Sequence, residues 1–188
     1  MMMPSGELDQ SLFHSEALAA LEEAALLAYR SYWPDLRSPH IFLGILNRPG
    51  SRLAVHMKKT GVSSPEAIAT TFLASLTGQY PIDARVRPPK LHREFLSENT
   101  LAVLRQAKEL ADAKKHESVR EADLLDAILQ NPSNIITSTF VKSGIDPERL
   151  QLPDETPSEE KRRTPGNRPE SAEFSEPTDN GVDSPTSI

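Results

Sequence analysis

Displaced by 83 residues, the sequence falls back on itself without a gap from Leu18 to Gly61. Leu18 meets Leu101, Ala19 meets Ala102, Leu21 meets Leu104, Ala24 meets Ala107, Leu27 meets Leu110 and Ala28 meets Ala111. Further on, Arg37 meets Arg120, Ile45 meets Ile128, Leu46 meets Leu129, Pro49 meets Pro132, Lys59 meets Lys142 and Gly61 meets Gly144. Leucine and alanine coincide readily when one amphipathic helix is laid on another. Proline and glycine at matching breaks do not, so the chain contains a duplicated structural unit.

Each copy reads as four helices. In the first, Leu18, Leu21, Ala25, Ala28 and Tyr32 recur at helical spacing through a stretch from Ser15 to Ser31 that lacks glycine and proline. Ser38-Pro39 offers a cap followed by proline at the start of a short apolar helix running to Leu46, which Asn47-Arg48-Pro49-Gly50 ends. A third helix is predicted from Ser51 to Thr60, with Leu53 and Met57 inward and Gly61 as its left-handed stop. Ser64-Pro65 opens the fourth, whose stripe is Ile68, Phe72 and Leu76.

The second copy starts at Ser97 and repeats the order. Glu121 to Leu129 is its short helix, Ser133 to Ser143 its third and Gly144 its stop. Asp146-Pro147 opens a fourth helix that Pro153 truncates. Period-two alternation is absent and aromatic content is 5%. The expected class is therefore all-α, an eight-helix body of two pseudo-symmetric four-helix repeats.

Composition sets the boundaries. Residues 1–11 are expected to be a flexible arm, 12–152 the folded body (first repeat 12–78, connector 79–96, second repeat 97–152) and 153–188 a disordered tail. Six of the 16 prolines and a net charge of −5 fall in that tail, which lacks an apolar run and cannot offset its ordering entropy. The remainder carries 18 acidic and 17 basic residues, which gives no basic excess for a nucleic-acid groove. Cysteine is absent, excluding disulfides and thiolate chemistry. With neither a secretory pattern at Met1–Glu7 nor an 18-residue apolar run, the expectation is a cytoplasmic protein that does not engage a membrane.

The segment His40-Ile41-Phe42-Leu43-Gly44-Ile45-Leu46 resembles the His-Leu-Leu-Leu-Ala-Leu-Leu type signature of the Clp N-terminal repeat. Asp123-Leu124-Leu125-Asp126-Ala127-Ile128-Leu129 stands at the same place in the second copy. The helix endings Gly61-Val62 and Gly144-Ile145 and the start Asp146-Pro147-Glu148-Arg149-Leu150 fit the same family, so that the resemblance spans roughly residues 12–152. It implies a compact Clp N-terminal domain, which in relatives receives substrates and adaptors for an AAA+ unfoldase. The sequence has no Gly-x-x-x-x-Gly-Lys-Ser/Thr loop, so a non-catalytic protein without ATPase activity or a cofactor is expected. Some relatives carry a glutamate before the motif histidine in both repeats, a pair that receives phosphoarginine. Pro39 and Ala122 occupy those positions here, and that chemistry is expected to be lost.

Enzyme chemistry finds no other foothold. His14, His40, His56, His92 and His116 show no i,i+4 pairing or His-Glu-x-x-His arrangement, so neither a metal site nor a catalytic residue is assigned. No serine lies in a Gly-x-Ser-x-Gly or Ser-x-x-Lys motif, and Glu22 and Glu23 read as a solvated helix face. Surfaces are the better candidates. Tyr29, Tyr32 and Trp33 crowd the end of the first helix where the second copy has Asp112, Lys115 and His116, and such aromatics anchor protein partners. Arg85, Arg87 and Lys90 of the basic connector are a second candidate, suited to an acidic segment.

The expected function is an adaptor or accessory factor that binds a protein partner in a groove between the repeats. The resemblance makes a Clp ATPase, a Clp protease core or a client the partner. A regulatory or scaffold protein using the same fold outside proteolysis is the alternative, and a small helical hydrolase the more distant one.

Overall fold

The computed structural model describes residues 1–77 and 90–153. Residue 78 at the end of the first repeat, most of the connector including Arg85 and Arg87, and the tail from residue 154 lie outside the described residues.

Seven α-helices and three short 3-10 turns make up the described residues, with no strand among them. The helices are α1 (Ser15–Arg30), α2 (Ser38–Asn47), α3 (Arg52–Thr60), α4 (Pro65–Thr77), α5 (Glu98–Ala113), α6 (Glu121–Gln130) and α7 (Asn134–Ser143). Gly61 and Gly144 end α3 and α7 with φ of 62° and 64°, the left-handed conformation for which each break supplies a glycine. The expected eighth helix is absent from the described residues. Asp146 instead caps a single 3-10 turn, Pro147–Leu150, and backbone from Gln151 is extended as it approaches Pro153.

Two further expectations are corrected. Ser38 is not the cap of α2; it lies inside the helix with its hydroxyl buried and unpartnered. The cap is Arg37, whose backbone N–H donates to His40 Nδ1 at 3.1 Å, and Arg120 donates likewise to Asp123 Oδ2 at 2.9 Å in the second repeat. Nor are residues 1–11 a loose arm. Leu8 is buried, its N–H donates to Leu91 O at 2.8 Å, and Arg93 N–H donates to Gly6 O at 2.7 Å. The last residues of the connector therefore pair with the N-terminus, and Arg93–Phe95 forms a 3-10 turn.

The repeats are joined by reciprocal contacts. Phe13 bridges Val119 and Leu36 bridges Leu96, both in parallel sense. His14 N–H donates to Val119 O at 2.9 Å, and Ser97 N–H, 83 residues on, donates to Leu36 O at 3.1 Å. Val119 N–H donates to Leu12 O and Leu36 N–H to Phe95 O, the same relation again. The lead-in to each repeat's first helix is thus bonded to the loop before the other repeat's second helix.

Between these contacts lies one core. The Phe42 and Phe72 rings lie 4.8 Å apart, and Phe140 of the second repeat meets them at 5.4 and 5.9 Å, mostly edge-on. α4 accordingly packs on both α2 and α7. Gly44 of α2 faces α1, where a Cβ would come to 2.2 Å from Ala20 O, so the absence of a side chain sets the close approach of these helices.

Candidate binding surface

The end of α1 is built as a Schellman stop around a residue other than glycine. Tyr32 has φ 59°, Trp33 N–H donates to Ala28 O at 2.9 Å, and Tyr32 N–H donates to Tyr29 O at 3.1 Å. The left-handed conformation costs a side-chain-bearing residue about 1 kcal/mol or more relative to glycine. It also swings Tyr32 into solvent, where it is 61% exposed beside Tyr29 at 45%. Trp33 turns inward instead: its Nε1 donates to Leu76 O at 2.6 Å, tying α1 to the end of α4.

The Trp33 ring organises the next residues. Its edge-to-face partner is His40 at 5.5 Å, and the Arg37 guanidinium lies 4.8 Å from its centroid. Asp35 Oδ1 accepts from Arg37 Nε at 2.7 Å and holds that stack. Burial, with the nearby Arg37 charge, lowers the His40 pKa to about 4. Its Nε2 is buried with no partner, as a neutral ring permits.

This histidine has a testable consequence for stability. Because the folded pKa lies below the ordinary value of 6.5, the unfolded chain binds the proton more readily, and stability present above pH 6.5 is lost as pH falls toward 4. Between pH 6.5 and 5 the loss from this group should be about 2 kcal/mol. Urea unfolding of wild type and His40→Asn at both pH values measures it. Equal pH dependence in the two proteins would refute the assignment.

From Arg37 the surface continues into a cleft of about 550 Å³ between the repeats. Asp35, Arg37, Ser38 and Pro39 form one wall, Ser97 and Asn99 the start of α5, and the loop from Pro132 to Ile135 the far side. A groove between repeats was the predicted binding place, and here it adjoins the predicted aromatic cluster through Arg37. Lys90 does not join them. Its ammonium bonds Glu7 at 2.9 Å, and that contact holds the Glu7 carboxyl below its usual range.

The corresponding place in the other half is closed by residues that the sequence reading did not single out. Arg48 donates through Nε and Nη2 to Glu121 Oε2 at 3.0 and 2.5 Å, with Glu16 at 3.8 Å. Glu121 is 1% exposed, and burial raises its pKa despite the arginine. The signal was present in the repeat: 83 residues from Arg48 stands Asn131, and 83 before Glu121 stands Ser38. Both members of the pair depart from their counterparts together.

Among the described residues, no group of three or more His, Cys, Asp or Glu side chains is placed to hold a metal ion. None of the described helices is long and apolar enough to cross a membrane.

Residues 95–179 match the family described as the Clp repeat (R) N-terminal domain. A search of the curated proteins finds no match to the sequence. Among solved structures, the Hsp104 N-terminal domain from Candida albicans is similar at 20% identity and a TM-score of 0.60, over 74% of this chain and 86% of that one. The N-terminal domain of the ClpV1 ATPase from E. coli EAEC is 25% identical with a TM-score of 0.55, over 74% and 82% of the two chains. A ClpV N-domain in complex with a VipB peptide aligns over the same shares at 21% identity and a TM-score of 0.50.

Proposed function

We propose, on the premise that this chain carries a Clp repeat N-terminal domain, that it is a non-catalytic protein-binding adaptor or accessory factor of a Clp-type chaperone or protease system. The observation that carries this reading is Tyr32, an aromatic side chain kept in a conformation that favours glycine and presented to solvent at the end of α1, as Tyr29 is, with Trp33 stacked on Arg37 at the edge of the inter-repeat cleft. The same left-handed turn recurs at Lys115, 83 residues on, so the conformation belongs to the repeat and the exposed aromatic side chain is what this end of α1 adds. Aromatic side chains supply large contact area at low entropic cost. The solved ClpV N-domain with a VipB peptide supports peptide recognition by this fold.

In use, a partner segment would seat against Tyr29 and Tyr32 and extend over the Arg37 guanidinium into the cleft. Hydrogen bonding there falls to the exposed side chains of Asn99 and Asn134. No covalent step is involved.

The test exploits the strain. Tyr32→Gly relieves the backbone and should stabilise the fold by about 1 kcal/mol, while weakening partner capture about tenfold or more. Affinity capture from the chain's own cells with wild type and this variant, read by mass spectrometry beside thermal unfolding, measures both. Recovery of Clp ATPase or protease subunits by wild type alone supports the adaptor. If neither protein recovers a Clp component, or the variant recovers them equally, the reading fails.

A further inference from the structure

Among the described residues the second repeat has no counterpart of α4, and the first repeat indicates what such a helix would cover. In the first repeat, α4 packs on α2, with Phe72 against Phe42, and Leu43 and Leu46 of α2 are buried along with Ile68, Phe72 and Leu76 of α4. The positions 83 residues on from Leu27, Ser31, Leu43 and Leu46 are Leu110, Lys114, Asp126 and Leu129, and each of these four is only partly buried. They line an open groove of about 520 Å³, whose other wall is the Pro147–Leu150 turn and the residues to Pro153. With Asp146-Pro147 set on Ser64-Pro65, the counterpart of Ile68 is Leu150, which is buried, whereas those of Phe72 and Leu76 are Asp154 and Ser158, so the continuing sequence lacks the rest of the apolar stripe that closes the first repeat.

We infer that this groove is a second binding site, which takes a basic amphipathic helix from a partner protein in the position that α4 holds in the first repeat. The proposal deepens the protein-binding reading and uses a surface separate from the aromatic cluster. Leu110, Leu129 and Leu152 supply the apolar lining. Charge selects the partner's polar face. Of the charged residues that line it, Lys114 is paired with Asp126 at 2.8 Å, which leaves Glu148 and so one more carboxylate than cation at the groove. A helix with an apolar residue every fourth position and lysine or arginine beside that stripe complements both features.

The probe is a synthetic peptide of the α4 sequence, residues 65–77, carrying Glu66→Lys and Thr70→Lys, titrated at up to millimolar concentration into the full-length 15N-labelled chain. A matched peptide with glutamate at both positions controls for charge. Saturable shifts centred on Leu110, Lys114 and Leu129 are expected, with the acidic peptide bound about tenfold more weakly. Glu148→Lys, an exposed change that leaves the fold intact, should remove most of that preference, and Leu129→Asn should weaken both peptides.

Absence of saturable shifts overturns the proposal. Shifts centred on Arg37 and Ile135 overturn it as well, while leaving the protein-binding reading of the cleft in place. Concentration-dependent groove shifts without peptide, accompanied by dimer in light scattering, would make a second copy the occupant. Groove shifts caused by replacing Lys161, Arg162 and Arg163 with glutamate would make it the chain's own basic run. Either result overturns a partner helix.

Discussion

Alanine in place of Arg48 is expected to lower stability by about 3–5 kcal/mol, because it leaves a buried carboxylate without its cation. Glu121 is 1% exposed and receives two hydrogen bonds from Arg48, whereas Glu16 beside the guanidinium is itself acidic. The deficit should also depend on pH in a defined sense. Burial already raises the Glu121 pKa, so in the folded state this group takes up a proton before it does so unfolded, and its stabilising contribution is lost as pH rises through the folded value. Without Arg48 the folded value rises further, and the variant's deficit shrinks as pH is lowered and Glu121 becomes neutral. Urea unfolding at pH 7.5 and 4.5 reads both effects, and a deficit below about 1 kcal/mol at the higher pH would contradict the account. The double replacement Arg48→Met with Glu121→Met should recover most of the loss, since matched apolar side chains remove the desolvation penalty with the pair.

A methyl group at position 44 should be nearly as disruptive. The Cβ of Gly44→Ala would stand 2.2 Å from the Ala20 carbonyl oxygen and 3.1 Å from the Ala24 Cβ, and a backbone atom cannot rotate away as a side chain can. Overpacking of this kind costs about 1–3 kcal/mol, and contact with backbone places it at the upper end. Helix propensity alone predicts the opposite sign, a gain of about 1 kcal/mol on replacing a mid-helix glycine with alanine. Thermal unfolding decides between them. Position 127 is the internal control: the second repeat carries a buried alanine there, and Ala127→Gly should lose the propensity term of about 1 kcal/mol together with about 1 kcal/mol for the buried methyl group.

The helices were legible because their determinants are local. Apolar spacing placed α1, α2, α3, α5, α6 and α7 within a few residues, and the glycines at 61 and 144 stop helices for a steric reason that does not depend on tertiary context. Ser38 misled because serine caps helices well, yet here the acceptor three residues on, His40, takes the Arg37 N–H and draws Ser38 into the first turn. The pairing of Leu8 with Leu91 escaped detection because neither segment has a period long enough to announce structure; each is ordered only by the other. The site divided in the same way. Exposed Tyr29 and Tyr32 stood out as aromatics at a helix end, and Trp33 could not be assigned inward until Leu76 was placed beside it. Arg48 and Glu121 are 73 residues apart, and only the duplication connects them.

The reciprocal bonds between Leu12–His14 and Val119, and between Phe95–Ser97 and Leu36, have the form of an interface between two identical subunits, here written into a single polypeptide. In a true homodimer every substitution is made twice, and a charge introduced on one side of the axis appears on the other. A tandem chain is free of that constraint. Arg48 and Glu121 can form a pair once, leaving Asn131 and Ser38 at the mirrored address, and one side of the axis can close while the other stays open. Covalent linkage of the halves is therefore what permits one of two related places to be clasped by an ion pair while the other keeps a cleft.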